Sequence, residues 1–230
     1  MTYSTKASKT VDDFILTKIQ DGVWIPGSKI YTEEQICDEL GVSRIAVRQA
    51  LGRLSALSVL TKQQGSGTYV NKFEDASLAG MVYYPATVER FLTVLEFRKQ
   101  FDAYNAELYA KNASDEEIKK LEENYAEMVD SVSDSIKFQK LENDFHQMIA
   151  DGTHNAIVHQ ISVTMTELLI RYQMLQYDNI GPDNSIKWHE RILEALKLRD
   201  AEMAKLCVKI HLENSIQYLK NKPENSIHLK

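Results

Sequence analysis

The stretch from residue 31 to residue 70 decides the fold of the first part of the chain, and it reads YTEEQICDELGVSRIAVRQALGRLSALSVLTKQQGSGTYV. Thr32, followed three positions later by Gln35, is the capping-box pattern that begins a helix. Gly41 ends that helix because it tolerates positive φ, and Ser43 is a good N-cap for a second helix. The pattern therefore predicts two short helices joined by a tight glycine turn.

The second predicted helix has an apolar face and a basic edge. Its apolar residues recur at i, i+4 and i+7, so they line one face. They are Val47, Leu51 and Leu54. The arginines that lie off this face are Arg44, Arg48 and Arg53. Two helices of this kind form a helix-turn-helix, whose second helix lies in the DNA major groove.

A hairpin is predicted directly after the second helix. Residues 58–62 and 68–72 read as short strands, and Gly65-Ser66-Gly67 supplies the turn between them. The hairpin would form the wing of a winged helix-turn-helix.

The stretch from residue 27 to residue 70 resembles the winged helix-turn-helix of the GntR family of bacterial transcription regulators. The matching segments are Pro26-Gly27, Leu40-Gly41-Val42-Ser43-Arg44, Val47-Arg48-Gln49-Ala50-Leu51, Arg53-Leu54 and Gly65-Ser66-Gly67. The resemblance implies that Arg44 and Arg48 contact bases and that Gly65 lets the wing approach the minor groove. Ser43 and Arg53 complete our candidate set of DNA-binding residues.

The chain departs from this family at Glu34, where relatives often have an arginine. A carboxylate at that position would repel phosphate, so we expect the contact to be absent or replaced. The alternative to DNA binding is that the arginines form an ordinary solvated helix face. The agreement of caps, glycine turn and wing favours DNA binding.

Length and composition are those of a globular protein with two domains. The chain has 230 residues, of which 43% are hydrophobic and 26% are charged. No apolar run approaches the roughly 20 residues that span a bilayer, so we expect no membrane partner. The N-terminus lacks the apolar core of a signal peptide, and Cys37 and Cys207 lie far apart. Both observations favour a reducing, cytoplasmic location.

Charge divides unevenly along the chain. The net charge is −6, but residues 1–72 contain nine basic and seven acidic residues, and the remainder contains 18 and 26. Phosphate contact is local, so a modestly basic first part can bind DNA. We predict a DNA-binding domain over 1–72, a linker over 73–86, a second domain over 87–222 and a tail over 223–230; resemblance to a known family, given below, implies that the second domain binds an effector and forms a dimer.

Helical periodicity dominates on both sides of the winged stretch. A first helix presents Val11, Phe14, Ile15 and Ile19 on one face. After the linker we predict helices over 87–111, 115–131, 134–150, 155–178, 185–199 and 201–220. Helices of this length pack their apolar faces against one another to form a core, so the second domain is predicted to be an all-α bundle. The fold class is thus mostly α with one small hairpin.

Four side chains in the second domain have the chemistry of a metal site. Glu142 and His146 lie at i and i+4 and point the same way from one helix. His189 and His211 lie on two later helices, and side chains from facing helices can converge on one ion. Taken by spacing alone, an ordinary surface pair and two unrelated histidines remain the simpler interpretation.

Residues 88–219 resemble the FCD domain, the helical effector domain of the FadR-type branch of the GntR family. The matching segments are Leu95-Glu96-Phe97-Arg98, Phe145-His146, His189-Glu190-Arg191-Ile192-Leu193 and His211-Leu212. The resemblance implies that Glu142, His146, His189 and His211 bind one divalent ion. The usual acid in that family is Asp, and Glu142 is one methylene longer. Imidazole and carboxylate ligands suit Zn, Ni or Mn.

A small organic acid could occupy open positions on such an ion, with an arginine holding a second carboxylate. Arg98 matches the family's arginine on the first helix of this domain, and Arg171 and Tyr172 are weaker candidates. The alternative for Arg98 is an internal ion pair with Glu96 or Asp102.

These expectations describe a ligand-responsive transcription regulator rather than an enzyme. We favour a repressor over an activator, and a homodimer, because two-fold symmetry matches a palindromic double-stranded DNA operator. Three alternatives remain open. In one the metal is itself the signal or a structural pin. In the second the protein is a metal-dependent hydrolase with a DNA-binding head. In the third an acyl-CoA type of effector binds a pocket without metal.

Overall fold

The computed structural model of the chain describes residues 6–172 and 182–221. The chain divides into two compact units, Met1–Pro85 and Ala86–Lys230. The predicted fold class, a winged helix-turn-helix followed by a helical bundle, is confirmed. The predicted tail over 223–230 lies outside the described residues.

The first unit contains three helices and a hairpin among its described residues. They are α1 (Lys6–Gln20), α2 (Glu33–Leu40), α3 (Arg44–Ala56), β1 (Leu60–Gln63) and β2 (Gly67–Val70). Thr32 and Gln35 form the predicted capping box of α2, and Gly41 ends that helix with φ of 63°. Local signals therefore placed both helices of the helix-turn-helix correctly.

The wing is broader than the predicted hairpin. β1 and β2 pair antiparallel with Leu60 opposite Val70. The segment before α2 adds to the same sheet, because the Ile30 N–H donates to the Thr68 carbonyl at 2.9 Å and the Val70 N–H donates to the Ser28 carbonyl at 3.0 Å. This third segment was not predicted, because Lys29 pairs with Tyr69, which lies 40 positions later in the chain.

Residues 73–84, which we predicted to belong to a linker, pack against the first unit. They form two 3-10 helices, Phe73–Asp75 and Leu78–Tyr83. Phe73 and Tyr84 are buried in the same core as α1 and α3, with ring centroids 5.7 Å apart. Gly80 lies directly against the backbone of Leu57, where a Cβ would overlap the carbonyl oxygen. The segment is therefore part of the packed unit.

The second unit is a bundle of six helices among the described residues. They are α4 (Val88–Asn112), α5 (Asp115–Asp130), α6 (Ser135–Asp151), α7 (Ala156–Ile170), α8 (Pro182–Lys197) and α9 (Ala201–Asn221). Four of these helices, α4, α5, α6 and α9, begin and end within one residue of the predicted positions. α7 ends at Ile170 rather than at 178, and residues 173–181 lie outside the described residues. α8 begins three residues earlier than predicted.

The longest helix of the bundle, α4, packs against α6, α8 and α9. Phe91 and Leu95 on α4 are buried in this core, as are Leu212 and Ile216 on α9. α4 can therefore bring a polar side chain close to groups carried by three other helices.

Among the described residues, none of the helices is both long and apolar enough to cross a bilayer.

Candidate functional site

Three histidines from three helices meet inside the second unit. They are His146 on α6, His189 on α8 and His211 on α9, and ligand nitrogens of the three lie within 4.8 Å of one another. The side chain of His189 is fully buried and that of His211 nearly so. The structure thus brings together three of the four predicted metal ligands.

The orientation of His189 leaves one nitrogen available to a metal. Its Nδ1 lies 2.8 Å from the backbone carbonyl of Ser185, and since a carbonyl only accepts, Nδ1 carries the hydrogen. Its Nε2 lies 3.2 Å from Nε2 of His146. Two nitrogens that each bind one ion at about 2.1 Å are about 3.0 to 3.4 Å apart. The spacing therefore fits a shared ion.

Two further observations fit a metal ion. Nδ1 of His211 is buried and has no hydrogen-bond partner among the described residues. Burial lowers the pKa of His146 and His211 well below the usual value and lowers the pKa of His189, and the positive charge of Arg98 lowers the pKa of all three further. The imidazoles are therefore neutral at neutral pH, which is the form that binds metals.

Glu142, the fourth predicted ligand, lies in the same interior but has another partner. The Ser185 hydroxyl donates to Oε1 of Glu142 at 2.6 Å. The carboxylate is buried and is not part of the group of mutually close ligand atoms that the three histidines form. Its role as a ligand stays a prediction, and Ser185 is a residue of the site that sequence analysis missed.

Arg98 is paired within the protein. Its Nε donates to Oδ2 of Asp102 at 2.8 Å, one turn later on α4, and both side chains are buried. The same Oδ2 lies 3.7 Å from Nδ1 of His146. Burial raises the pKa of Asp102, and the charge of Arg98 offsets part of that rise. Of the two partners considered for Arg98, the structure shows Asp102, whereas Glu96 pairs with Lys220 at 3.0 Å.

The two weaker effector candidates lie at the end of α7. Arg171 is exposed, and its backbone N–H bonds the carbonyl of Leu168 at 3.1 Å. Tyr172 is buried and stacks on Phe91 with ring centroids 5.0 Å apart. The structure thus places Tyr172 in the core, and a role in effector binding stays a prediction for both residues.

In the first unit, the start of α3 presents the predicted reading surface. The hydroxyl of Ser43 caps the helix by accepting from the Ala46 N–H at 3.3 Å. The side chains of Arg44 and Arg48 are 67% and 70% exposed. Gly65 lies at the turn of the wing with φ of 73°. All four predicted features are therefore available to a duplex.

Arg53, the fifth predicted DNA-binding residue, faces inward. Its Nε donates to Oδ2 of Asp12 on α1 at 3.1 Å, and its Nη2 donates to the carbonyl of Ser8 at 3.2 Å. This pairing connects α3 to α1, so Arg53 has a structural role in the first unit. DNA contact by Arg53 stays a prediction, and the pairing argues against it.

Acidic residues of α2 lie beside the reading arginines. Glu33 accepts from Nε of Arg48 at 2.8 Å and from Nζ of Lys62 at 3.1 Å. Glu34 lies 3.5 Å from Arg44. Glu34 was predicted to lie near DNA, but Glu33 was not, although the two are successive acids in the first turn of α2.

A helix-turn-helix with exposed arginines, followed by a helical unit with a buried cluster of histidines, defines a ligand-responsive, DNA-binding regulator. Residues 7–70 match the family model described as bacterial regulatory proteins, gntR family, and residues 93–214 match the FCD domain. The chain belongs to the GntR family of transcription regulators, in the FadR-type branch that carries an FCD domain.

Known proteins similar to the chain agree with this assignment. It is 25% identical over 204 residues to the HTH-type transcriptional regulator LutR of Bacillus subtilis, covering 85% of this chain and 93% of that protein. The chain is 20% identical over 211 residues to the galactonate operon transcriptional repressor of Escherichia coli, and the match covers 88% of this chain and 92% of that protein. A solved structure of Lar, described as controlling the expression of the Listeria monocytogenes agr system, shares the fold with a TM-score of 0.72 at 18% identity. The match covers 97% of this chain and 100% of that one.

Proposed function

We propose that this regulator binds a palindromic operator as a homodimer, acts as a repressor, and is controlled by a small carboxylate effector at a divalent metal ion. The supporting observation is the cluster of three histidines, of which His189 and His211 are buried and His146 is partly buried, beside the buried pair of Arg98 and Asp102. In this proposal residues 1–72 bind DNA, and residues 87–222 bind the effector and form the dimer.

The first unit would read the operator from the N-terminal end of α3. Arg44 and Arg48 are the side chains we assign to base edges, where a guanidinium pairs best with guanine. The Ser43 hydroxyl holds the start of α3, and Gly65 allows the wing to approach the minor groove. One such unit reads half a site, so two-fold symmetry doubles the contact.

The second unit would hold the ion through His146, His189 and His211, with Glu142 as a possible fourth ligand. Zn, Ni and Mn all accept imidazole ligands. A bound ion supplies positive charge and open positions that attract carboxylate oxygens. A relative named for the galactonate operon supports this class of effector, since galactonate is a hydroxy-carboxylate.

Arg98 would bind a second oxygen group of the effector. Its guanidinium has several donors, and the bond to Asp102 uses Nε. An acid that binds one dimer conformation better than another shifts the population between them, and this changes the affinity for the operator.

Metal content and DNA binding of the purified protein test this proposal. Elemental analysis and native mass spectrometry should find one divalent ion per chain. An operator selected from randomised duplexes should lose affinity when galactonate, lactate or citrate is added. Protein that carries no metal, and whose DNA affinity none of these acids changes, would contradict the proposal.

A second candidate function makes the metal itself the signal. The observation that favours it is the pairing of Arg98 with Asp102, because an arginine already neutralised is less available to an effector. Removal of the metal with EDTA would then release the operator, and the three acids would have no effect on metal-loaded protein.

A further inference from the structure

The carboxylate of Glu33 joins α3, the second helix of the helix-turn-helix, to the wing. Glu33 is the first residue of α2, yet its two oxygens bond Arg48 on α3 and Lys62 on β1, at 2.8 Å and 3.1 Å. Its side chain is 24% exposed, against 70% for Arg48 and 69% for Lys62. The anion therefore lies between two cations whose outer ends reach solvent.

The geometry leaves the reading end of Arg48 open. The bond to Glu33 uses Nε, so the terminal nitrogens of the guanidinium remain available to a base edge. The cavity of about 240 Å³ beside this pair is lined by α3, β1 and β2, with Gly52, Ser55 and Thr68 among its residues. Arg48 is thus held through Nε, and its terminal nitrogens have no bonding partner among the described residues.

The contact contributes little to folding. An ion pair in which the cation is largely exposed to solvent adds little to stability. The bond from Arg48 lowers the pKa of Glu33, so the carboxylate is ionised at neutral pH. The Glu33 carboxylate is therefore better explained by its effect on Arg48 and Lys62 than by a contribution to stability.

We propose that Glu33 is a positioning residue for sequence recognition, which holds Arg48 toward base edges and keeps Arg48 and Lys62 from binding phosphate at random. This inference rests on the proposed operator binding and deepens it. An arginine restrained in one orientation loses less rotamer freedom on meeting its base. A free arginine pairs with any nearby phosphate, which adds affinity without sequence preference.

The test compares Glu33→Gln with Glu39→Gln. Both residues lie on α2, and each substitution removes one negative charge. Glu39 serves as the control because it is exposed and, among the described residues, pairs with neither Arg44 nor Arg48. For each variant, fluorescence anisotropy gives the affinity for the selected operator and for a random-sequence duplex, over a range of salt concentrations.

We expect Glu33→Gln to bind the random duplex more tightly than the wild type, because the anion that pairs with Arg48 and Lys62 is gone. Only Glu33→Gln should lower the ratio of operator affinity to random-duplex affinity, by about tenfold, the discrimination of one good bidentate contact. Its salt dependence on random duplex should also steepen by about one counterion. Combined with Arg48→Ala, Glu33→Gln should cause no further loss of the ratio.

Two results would overturn the inference. One is an unchanged ratio in Glu33→Gln, equal to that of Glu39→Gln. The other is a loss that adds in full to that of Arg48→Ala, because Glu33 would then act independently of Arg48. If the wild type itself selects no sequence, the proposed operator binding fails, and this inference fails with it.

Discussion

Arg48 and Arg53 lie five residues apart on α3 and have different surroundings. Arg48 projects into solvent and is held at Nε by Glu33. Arg53 reaches across to α1, where Asp12 and the carbonyl of Ser8 accept its hydrogens. The two guanidiniums therefore do different work, although both are off the apolar face of one helix.

We expect Arg48→Ala to reduce discrimination between the selected operator and random duplex by about 1–3 kcal/mol, because it removes a base contact. Arg53→Ala should leave that discrimination nearly unchanged and lower the free energy of unfolding of the first unit by about 1–2 kcal/mol, since Asp12 loses its partner. Anisotropy titrations and urea denaturation measure the two effects. Equal losses of discrimination in both variants would show that Arg53 also reads DNA.

The sequence could not distinguish these two arginines. Helical periodicity indicates which residues leave the apolar face, but it does not say which neighbouring element they meet. Asp12 is 41 positions before Arg53, and only the packing of α1 on α3 brings them together. The same limit applies to Glu33, whose partners lie 15 and 29 positions away.

The buried pair of Arg98 and Asp102 makes a prediction about stability. Arg98→Met should lower the free energy of unfolding of the second unit by about 3 kcal/mol, because it leaves a buried carboxylate without its cation. The double variant Arg98→Met with Asp102→Asn should recover most of this loss. Trp24 and Trp188 are the two tryptophans of the chain, one in each unit, so Trp24→Phe leaves Trp188 to report on the second unit.

A loss in Arg98→Met that the double variant does not reduce would mean that Arg98 stabilises the bundle through packing rather than by neutralising Asp102. As a control for effects on the first unit, the urea midpoint reported by Trp24 fluorescence in a Trp188→Phe background should be the same with and without Arg98→Met.

At the scale of helices and strands, local signals predicted most of the boundaries. The capping boxes of Thr32 with Gln35 and of Ser114 with Glu117 begin α2 and α5, where we expected helices to begin. Gly152 follows the last residue of α6, in the gap between the helices predicted over 134–150 and 155–178. These signals act within one turn of helix, so they can be read from a single chain.

Packing between distant segments accounts for the elements that the sequence did not predict. Residues 73–84 carry no strong periodicity and belong to the predicted linker, but Phe73 and Tyr84 are buried in the core of the winged unit. The hydroxyl of Ser77 donates to the Leu57 carbonyl at 3.0 Å, which fixes the segment to the end of α3. The contact involves residues 20 positions apart, beyond the reach of periodicity.

Gly80 tests whether this segment stabilises the first unit. Gly80→Ala should lower the free energy of unfolding by about 1–3 kcal/mol, because the added Cβ would overlap the carbonyl oxygen of Leu57 and rigid backbone cannot yield easily. Gly52→Ala is the matched control. Its Cβ meets nothing within 4 Å on α3, so it should raise stability by about 0.5–1 kcal/mol.

Urea denaturation followed by Trp24 fluorescence measures both glycine variants in a Trp188→Phe background. A Gly80→Ala protein as stable as its parent would mean that residues 73–84 are dispensable to the unit and serve as a connection only.

At the scale of the whole molecule, three histidines on three helices form one cluster. Spacing placed Glu142 and His146 on one helix face, but it could not say that α8 and α9 bring His189 and His211 to the same place. That expectation came from resemblance to the FCD domain. The sequence also could not indicate that the Ser185 hydroxyl would take the carboxylate of Glu142.

The central claim is that the buried histidine cluster of one unit controls DNA binding by the other. Operator affinity with and without added carboxylates tests it most directly, in the wild type, in His146→Gln with His211→Gln, and in His159→Gln. His159 is an exposed histidine that pairs with Asp151 at 2.7 Å, so it serves as the control.

In the wild type and in His159→Gln, an effective acid should change operator affinity by about fivefold or more. The double variant should bind the operator within about twofold of the acid-free wild type and should not respond to acid, because without the ion the acid loses its site. A double variant that contains no metal and still responds to acid as the wild type does would contradict the account.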